Sequence, residues 1–97
     1  MSISRIGQTQ AKEETIEALR DFLLSIIPII KSSHGCESVT LFQSQEDPTR
    51  FTMIEVWDSL ESHQASVENI PPKMHGEIRP LLAGAPSGGY FEILEQE

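Results

Sequence analysis

The segment 51–57 (FTMIEVW) constrains the fold more than any other part of this chain. It is rich in β-branched and aromatic residues and contains no Gly or Pro, which predicts a β-strand. Side chains alternate between the faces of a strand, so positions 51, 53, 55 and 57 share one face and positions 52, 54 and 56 share the other. Both sets are largely apolar, whereas a strand covered on one side alternates apolar and polar residues. We therefore expect this strand to be covered on both faces.

Three further strands and three helical segments are predicted around it. Apolar residues recur at steps of three and four from Ile16 to Ile30, which indicates an amphipathic first helix that Pro28 should kink or end. The segment 83–89 is predicted to be a loop in which Gly88 and Gly89 form a turn. The predicted strands are 2–9, 36–43, 51–57 and 90–94, and the predicted helices are 11–31, 59–68 and 73–82.

This order predicts an α+β, ferredoxin-like split βαβ fold, with helices on one face of a four-stranded antiparallel sheet. The 97 residues suit a single domain, 1–97. The helices can cover only one face of the sheet, although the second, third and fourth strands are apolar on both. We expect a second copy of the chain to cover the other face in a homodimer. The alternative is that some of these side chains are simply exposed.

The charge balance limits the partners of the chain. Fifteen acidic residues against seven basic ones give a net charge of −8, which argues against nucleic acid and anionic membranes. No apolar run is long enough to span a bilayer and residues 1–5 lack a signal-peptide pattern, so a cytoplasmic protein is expected. Cys36 is the single cysteine, and the three histidines lack metal-ligand spacing, so neither a metal nor another cofactor is expected.

Short motifs carry a family resemblance: Gly35-Cys36 opens the second strand, and Glu55-Val56-Trp57-Asp58-Ser59 ends the third. With the helical segments 60–68 and 75–82 following in order, nearly the whole chain resembles the antibiotic biosynthesis monooxygenase family of dimeric α+β barrels. The resemblance implies a pocket between sheet and helices. Some members oxidise quinols or polyketide-type phenols with O2 without a cofactor, others degrade haem, and many have no known activity. In the oxidising members, an apolar pocket with a few polar groups holds the substrate oxyanion.

The chain departs from the family pattern at the second helix. Many members carry a histidine near the position of Ser66, and His63 lies three residues away in a different helical register, so no role is assigned to His63. Haem-degrading members use an Asn on the first strand and a Trp in the second helix. Asn69 and Trp57 do not match those positions, so haem degradation is not expected.

The predicted catalytic residues are His75 and Arg79, which lie four residues apart on one helix face. His75 would act as the base on a phenol, and Arg79 would steady the resulting oxyanion. The alternative is that both are solvated surface residues.

The predicted substrate-binding residues are Glu55, Trp57, Tyr90 and Phe42. Glu55 and Trp57 share one strand face and would line the pocket. Alternatively, Glu55 pairs with Arg5 or Arg50 at the sheet rim, and Trp57 packs in the core or an interface. Tyr90 would donate a hydrogen bond to the ligand or lie at the subunit boundary, where Phe42 is also expected.

These observations predict a homodimeric, cofactor-independent monooxygenase that acts on a quinol or related small aromatic molecule. The alternative is a ligand-binding or stress-related homodimer without catalysis, which Ser66 at the usual histidine position favours.

Overall fold

The computed structural model describes residues 2–96 and confirms the predicted fold class. The sheet has the strand order β2-β3-β1-β4, and every pairing is antiparallel. Within the described residues, none of the helices combines the length and the apolar character needed to cross a membrane. The elements are β1 (Ile3–Gln10), α1 (Ile16–Lys31), β2 (Cys36–Gln43), β3 (Arg50–Trp57), α2 (Leu60–Ser66), α3 (Pro72–Ile78) and β4 (Ser87–Phe91), with 3-10 turns at Glu13–Thr15, Val67–Asn69 and Arg79–Leu81.

Strand β3 lies at the centre of the core, between β1 and β2. Its Phe51 and Trp57 side chains are 2% and 0% exposed, because the helices cover this face of the sheet. Leu19, Leu23 and Ile30 of α1 complete the buried cluster at the spacing predicted from the sequence. The amphipathic α1 thus meets the face of β3 that carries positions 51, 53, 55 and 57.

The opposite face of the sheet is left uncovered within the single chain. Phe42 pairs with Thr52 across β2 and β3, and Phe91 pairs with Ser4 across β4 and β1, which places both phenylalanines on this face. They are 49% and 53% exposed. Ile54, on the same face, is half-buried. The second apolar face of the sheet is therefore present as predicted.

The first helix begins later than predicted. The helical pattern was expected from residue 11, but Ala11 is buried in the core and forms an isolated bridge with Leu82. The backbone N–H of Ala11 donates to the Thr49 carbonyl at 2.8 Å, so this residue extends the edge of the sheet instead. A 3-10 turn then leads into α1 at Ile16.

Pro28 does not end α1, which continues to Lys31. A proline inside a helix removes one hydrogen bond, here to the carbonyl four residues earlier. Pro28 is exposed, whereas Leu23 and Ile30 on either side of it are buried against the sheet. The packing of these two residues holds the last turns of the helix despite the missing bond.

The last strand was predicted at 90–94 but runs from Ser87 to Phe91. Gly88 and Gly89 therefore belong to the strand and not to a turn. Gly88 allows a close approach, since a Cβ atom there would lie 2.7 Å from Nη2 of Arg5. The residues after Phe91 leave the sheet, and Leu94 is 90% exposed.

A bulge in β2 changes the face on which Cys36 lies. From alternation alone, Cys36 shares a face with Thr40 and Phe42. The register shifts between Cys36 and Ser38, so that Cys36 pairs with Trp57 and packs against the core.

The turn before β2 positions α2. Gly35 has a φ of +88°, and a Cβ atom there would lie 2.5 Å from Oδ1 of Asp58. The Asp58 N–H donates to the Gly35 carbonyl at 2.8 Å. Ser59 then caps α2, with its Oγ accepting from the Ser62 N–H at 3.1 Å. These contacts set the direction in which α2 leaves β3.

Candidate functional site

A cavity of about 320 Å³ lies between the sheet and the helices. We call it the inner cavity. Its lining is mostly apolar, and the polar side chains of Arg5, Glu55 and His63 join this lining. A largely apolar cavity with a few convergent polar groups is the usual form of a small-molecule site. The apolar residues that line it are Leu23, Ile26, Ile30, Leu41, Phe51, Met53, Ile70, Ile78 and Pro86.

Glu55 projects from the centre of the sheet into the wall of this cavity. Its Oε1 accepts a hydrogen bond of 2.9 Å from the indole Nε1–H of Trp57. Burial raises the pKa of the Glu55 carboxyl, while the bond from Trp57 and the charge of Arg5 oppose that rise. The Trp57 ring is fully buried, so it holds the carboxylate in a fixed position.

His63 reaches the same wall from α2. Its Nε2 lies 3.9 Å from Oε1 of Glu55, and both side chains are 13% exposed. Burial lowers the pKa of His63, and the positive charge of Arg5 lowers it further. The imidazole is therefore neutral at neutral pH, in the form that accepts a proton.

Tyr90 on the edge strand β4 and Arg5 on the adjacent strand β1 complete the cluster. The Tyr90 hydroxyl lies 2.6 Å from Nδ1 of His63. The Arg5 guanidinium stacks over the Tyr90 ring, with Cζ 5.2 Å from the ring centroid. The two residues are cross-strand neighbours on β1 and β4, which places their side chains on one face.

The two imidazole nitrogens of His63 face different surroundings. Nδ1 faces the Tyr90 hydroxyl, and Nε2 faces the Glu55 carboxylate in the cavity wall. When the ring proton is on Nδ1, it is donated to Tyr90 and the lone pair of Nε2 is free to accept a proton. This arrangement can take a proton from a bound hydroxyl group, and Arg5 can hold the anion that remains.

The predicted catalytic and substrate-binding residues lie in three places: at the inner cavity, at a neighbouring cavity and on the opposite face of the sheet. Glu55 lines the inner cavity, Trp57 is buried behind it, and Tyr90 contacts His63. His75 and Arg79 line a neighbouring cavity.

Phe42 lies on the opposite face of the sheet from the inner cavity, since it pairs with Thr52 and not with a core residue of β3. The structure thus brings Glu55, Trp57 and Tyr90 together and separates them from Phe42.

Sequence reasoning assigned no role to His63, and it named Arg5 only as one of two alternative partners of Glu55. The family histidine was placed near Ser66, but the Ser66 hydroxyl donates to the His63 carbonyl at 2.6 Å and lines a separate cavity with His34. Glu55, the single charged residue in the segment 51–57, was the available signal, and Arg5 is its direct partner across β1 and β3.

Comparisons with known proteins agree with this architecture. The family model for antibiotic biosynthesis monooxygenase matches residues 2–70. A putative antibiotic biosynthesis monooxygenase from Chloroflexus aurantiacus is 28% identical, with a TM-score of 0.72 over 100% of this chain and 98% of that chain. Rv0793 from Mycobacterium tuberculosis is 17% identical, with a TM-score of 0.85 over 99% and 98% of the two chains.

A variant of SnoaB, a cofactor-independent oxygenase from Streptomyces nogalater, is 12% identical, with a TM-score of 0.82 over 98% of this chain and 95% of that chain. No curated protein matches the chain at a significant level. The family model covers well over half of the sequence, so the chain belongs to the antibiotic biosynthesis monooxygenase family.

Proposed function

We propose that this protein is a cofactor-independent monooxygenase that oxidises a quinol or related phenol with O2 in the inner cavity. The observation that carries the proposal is the cluster of Arg5, Glu55 and His63 on the wall of a largely apolar cavity, whose other polar lining residues are the uncharged Gln8, Thr9 and Ser87. Membership of the family and the shared fold with SnoaB, a cofactor-independent oxygenase, support it.

The first step is removal of a phenolic proton by Nε2 of His63. The neutral imidazole that burial favours is the form needed for this step. The half-buried Arg5 guanidinium then holds the phenolate oxygen, because a cation that is partly shielded from water stabilises the developing negative charge. Glu55, 3.9 Å from Nε2, stabilises the imidazolium that forms.

The phenolate supplies the electrons that reduce O2. One electron passes to O2, the two radicals combine at a ring carbon, and a peroxide forms there. His63 returns its proton to the peroxide anion. The hydrogen on the same ring carbon then leaves as a proton while the O–O bond breaks, and the departing hydroxide takes up that proton to form water. For a quinol with a free ring position, the products are one hydroxyquinone and one water molecule. The apolar side chains of the inner cavity limit the contact of the reactive anion with bulk water.

We further propose that the protein works as a homodimer that covers the second face of the sheet. Phe42 and Phe91 are about half exposed on that face, and Ile54 lies between their strands. Several large apolar residues on one uncovered sheet face are typical of an interface between subunits.

An oxygen-consumption assay tests the proposed reaction. Metal-stripped protein is mixed with hydroquinones that have a free ring position, and uptake is compared with that of His63→Gln and of His34→Gln as the matched histidine control. We expect one O2 consumed for each hydroxyquinone formed, with one isotopic oxygen atom from labelled O2 in the product. Binding of the hydroquinone without oxygen uptake would instead favour the alternative, a ligand-binding homodimer, which the serine at position 66 supports.

A further inference from the structure

A second cavity of about 470 Å³ adjoins the inner cavity. We call it the outer cavity. Ile78 and Pro86 line both cavities, so these two side chains form a shared wall. His75 and Arg79 line the outer cavity only. The predicted catalytic pair, His75 and Arg79, is therefore separated from the cluster of Arg5, Glu55 and His63 by the side chains of Ile78 and Pro86.

The arginines of this acidic chain fall into two classes. Arg20 and Arg50 form ion pairs with Asp21 and Asp47, at 3.6 and 3.1 Å. For residues 2–96, Arg5 and Arg79 have no carboxylate oxygen within ion-pair distance. In a protein with a net charge of −8, Arg79 thus lines the outer cavity without an ion-pair partner among residues 2–96, whereas Arg5 shares the inner cavity with Glu55. A planar guanidinium binds a carboxylate in a bidentate fashion, which makes Arg79 a fitting anion contact.

The volume of the inner cavity limits what it can enclose. An apolar protein cavity of about 150 Å³ accommodates benzene. The inner cavity, at about 320 Å³, accordingly suits a head group of one or two rings. A larger substrate extends beyond the inner cavity, and the outer cavity across the shared wall, which Arg79 lines, is one of the spaces that it can reach.

We infer that the outer cavity is the entrance to the inner one, and that Arg79 selects substrates carrying a carboxylate at the end remote from the phenol. The substrate class is then a phenol or quinol of one or two rings with a carboxylated side chain. This inference rests on the proposed function for the role of the inner cavity. It gives His75 and Arg79 a binding role in place of the catalytic one predicted from the sequence.

Binding measured without oxygen tests the anion contact separately from catalysis. The probes are 3-(3-hydroxyphenyl)propanoate and its methyl ester, which differ in charge but share the phenol. Calorimetry on the full chain should give about tenfold tighter binding of the acid, a typical gain for one charge-assisted contact. Arg79→Gln should bring the affinity for the acid down to that for the ester, without changing the affinity for the ester.

Lys73→Gln is the matched control, because Lys73 is an exposed cation on α3, the helix that ends just before Arg79, and lines neither cavity. It should keep the preference for the acid. Equal binding of acid and ester by the natural protein, or a preference that survives Arg79→Gln, would overturn the inference.

A second variant tests the entrance. Ile78→Phe enlarges the shared wall and should slow the association of acid and ester alike, as followed by the fluorescence of the single tryptophan, Trp57. Unchanged association rates would contradict the role of the outer cavity as the entrance. A preserved acid preference without oxygen uptake would reject the proposed oxidation and keep the anion contact. Oxygen uptake without a preference for the acid would keep the proposed oxidation and reject the anion contact.

Discussion

The Tyr90 hydroxyl lies 2.6 Å from Nδ1 of His63 and joins the edge strand β4 to helix α2. The Trp57 ring meets the same imidazole edge-on, at 5.4 Å between centroids. His63 is thereby held between two aromatic rings, and its second nitrogen remains on the side of Glu55. In the proposed mechanism, Tyr90 is a positioning residue that sets the orientation and the protonated nitrogen of the base.

Tyr90→Phe removes this hydrogen bond but keeps the aromatic ring. We expect kcat for quinol oxidation to fall about tenfold, in line with the loss of one hydrogen bond to a catalytic group, with little change in KM. Steady-state oxygen uptake across a pH series measures both constants. A change in KM alone would place Tyr90 in substrate binding instead.

The pH dependence should follow the protonation of His63. Oxidation needs the neutral imidazole, so kcat/KM should rise with pH through the pKa of His63 and level off above it. Burial and then Arg5 lower that pKa, so the rise should lie below the ordinary histidine range. Arg5→Gln removes a nearby positive charge that opposes protonation, and it should move the rise to higher pH. NMR titration of His63 in both proteins checks the direction, and a shift to lower pH would contradict the assignment.

Glu55→Gln should stabilise the fold while lowering the activity. Burial raises the pKa of Glu55 above its unfolded value, so the charged form destabilises the folded state once the pH exceeds the folded pKa. The glutamine carbonyl can still accept the bond from Trp57. We expect the midpoint of thermal unfolding to rise by a few degrees at neutral pH and to be unchanged in acid, below the unfolded pKa. Calorimetry at neutral pH and at a pH below the unfolded pKa measures both midpoints. A lower midpoint for Glu55→Gln at neutral pH would contradict this account.

Gly88→Ala tests the position of Arg5. The added Cβ would lie 2.7 Å from Nη2 of Arg5, so the guanidinium must move away. Small displacements in an active site cost up to about a hundredfold, so we expect a loss of roughly tenfold or more in kcat/KM with the fold retained. Gly89→Ala is the matched control, because its Cβ would only approach the Phe91 ring at 3.4 Å. Equal effects of the two variants would indicate a general effect on β4.

Phe42→Asp tests the proposed dimer interface. A charge on the uncovered face of the sheet should dissociate the dimer, because an unpaired carboxylate is costly to bury. Leu24→Asp is the control, since Leu24 on α1 is 50% exposed and Phe42 is 49% exposed. Light scattering should give a monomer for the first variant and a dimer for the second. A dimer in both cases would remove this face from the interface.

The fold could be predicted from the sequence because two patterns directly reflect which side chains are buried. These are the alternation of side chains between the two faces of a strand and the recurrence of apolar residues at steps of three and four in a helix. The two-sided strand at 51–57 and the apolar stripe of α1 are both found as the pattern indicates. The sequence left Arg5 and Arg50 as alternative partners of Glu55, because the choice between them depends on the register of β1 against β3.

The position of His63 in the site was harder to predict, because it also depends on how the elements are placed relative to one another. His63 enters the cavity because α2 begins at Leu60, after a cap and turn that involve Gly35 and Ser59. Moving the start of a helix by one residue turns each side chain by about 100°. The bulge at Cys36 and the start of β4 at Ser87 likewise depend on tertiary contacts and not on local sequence preference.

Oxygen uptake with a hydroquinone, compared between the natural protein and His63→Gln, tests the central claim most directly. We predict uptake above the protein-free rate that falls at least about a hundredfold in His63→Gln, the usual contribution of a general base, and that persists in His34→Gln. Uptake that is undiminished in His63→Gln would contradict the assignment of the base. Absence of uptake by the natural protein would contradict the oxidation itself.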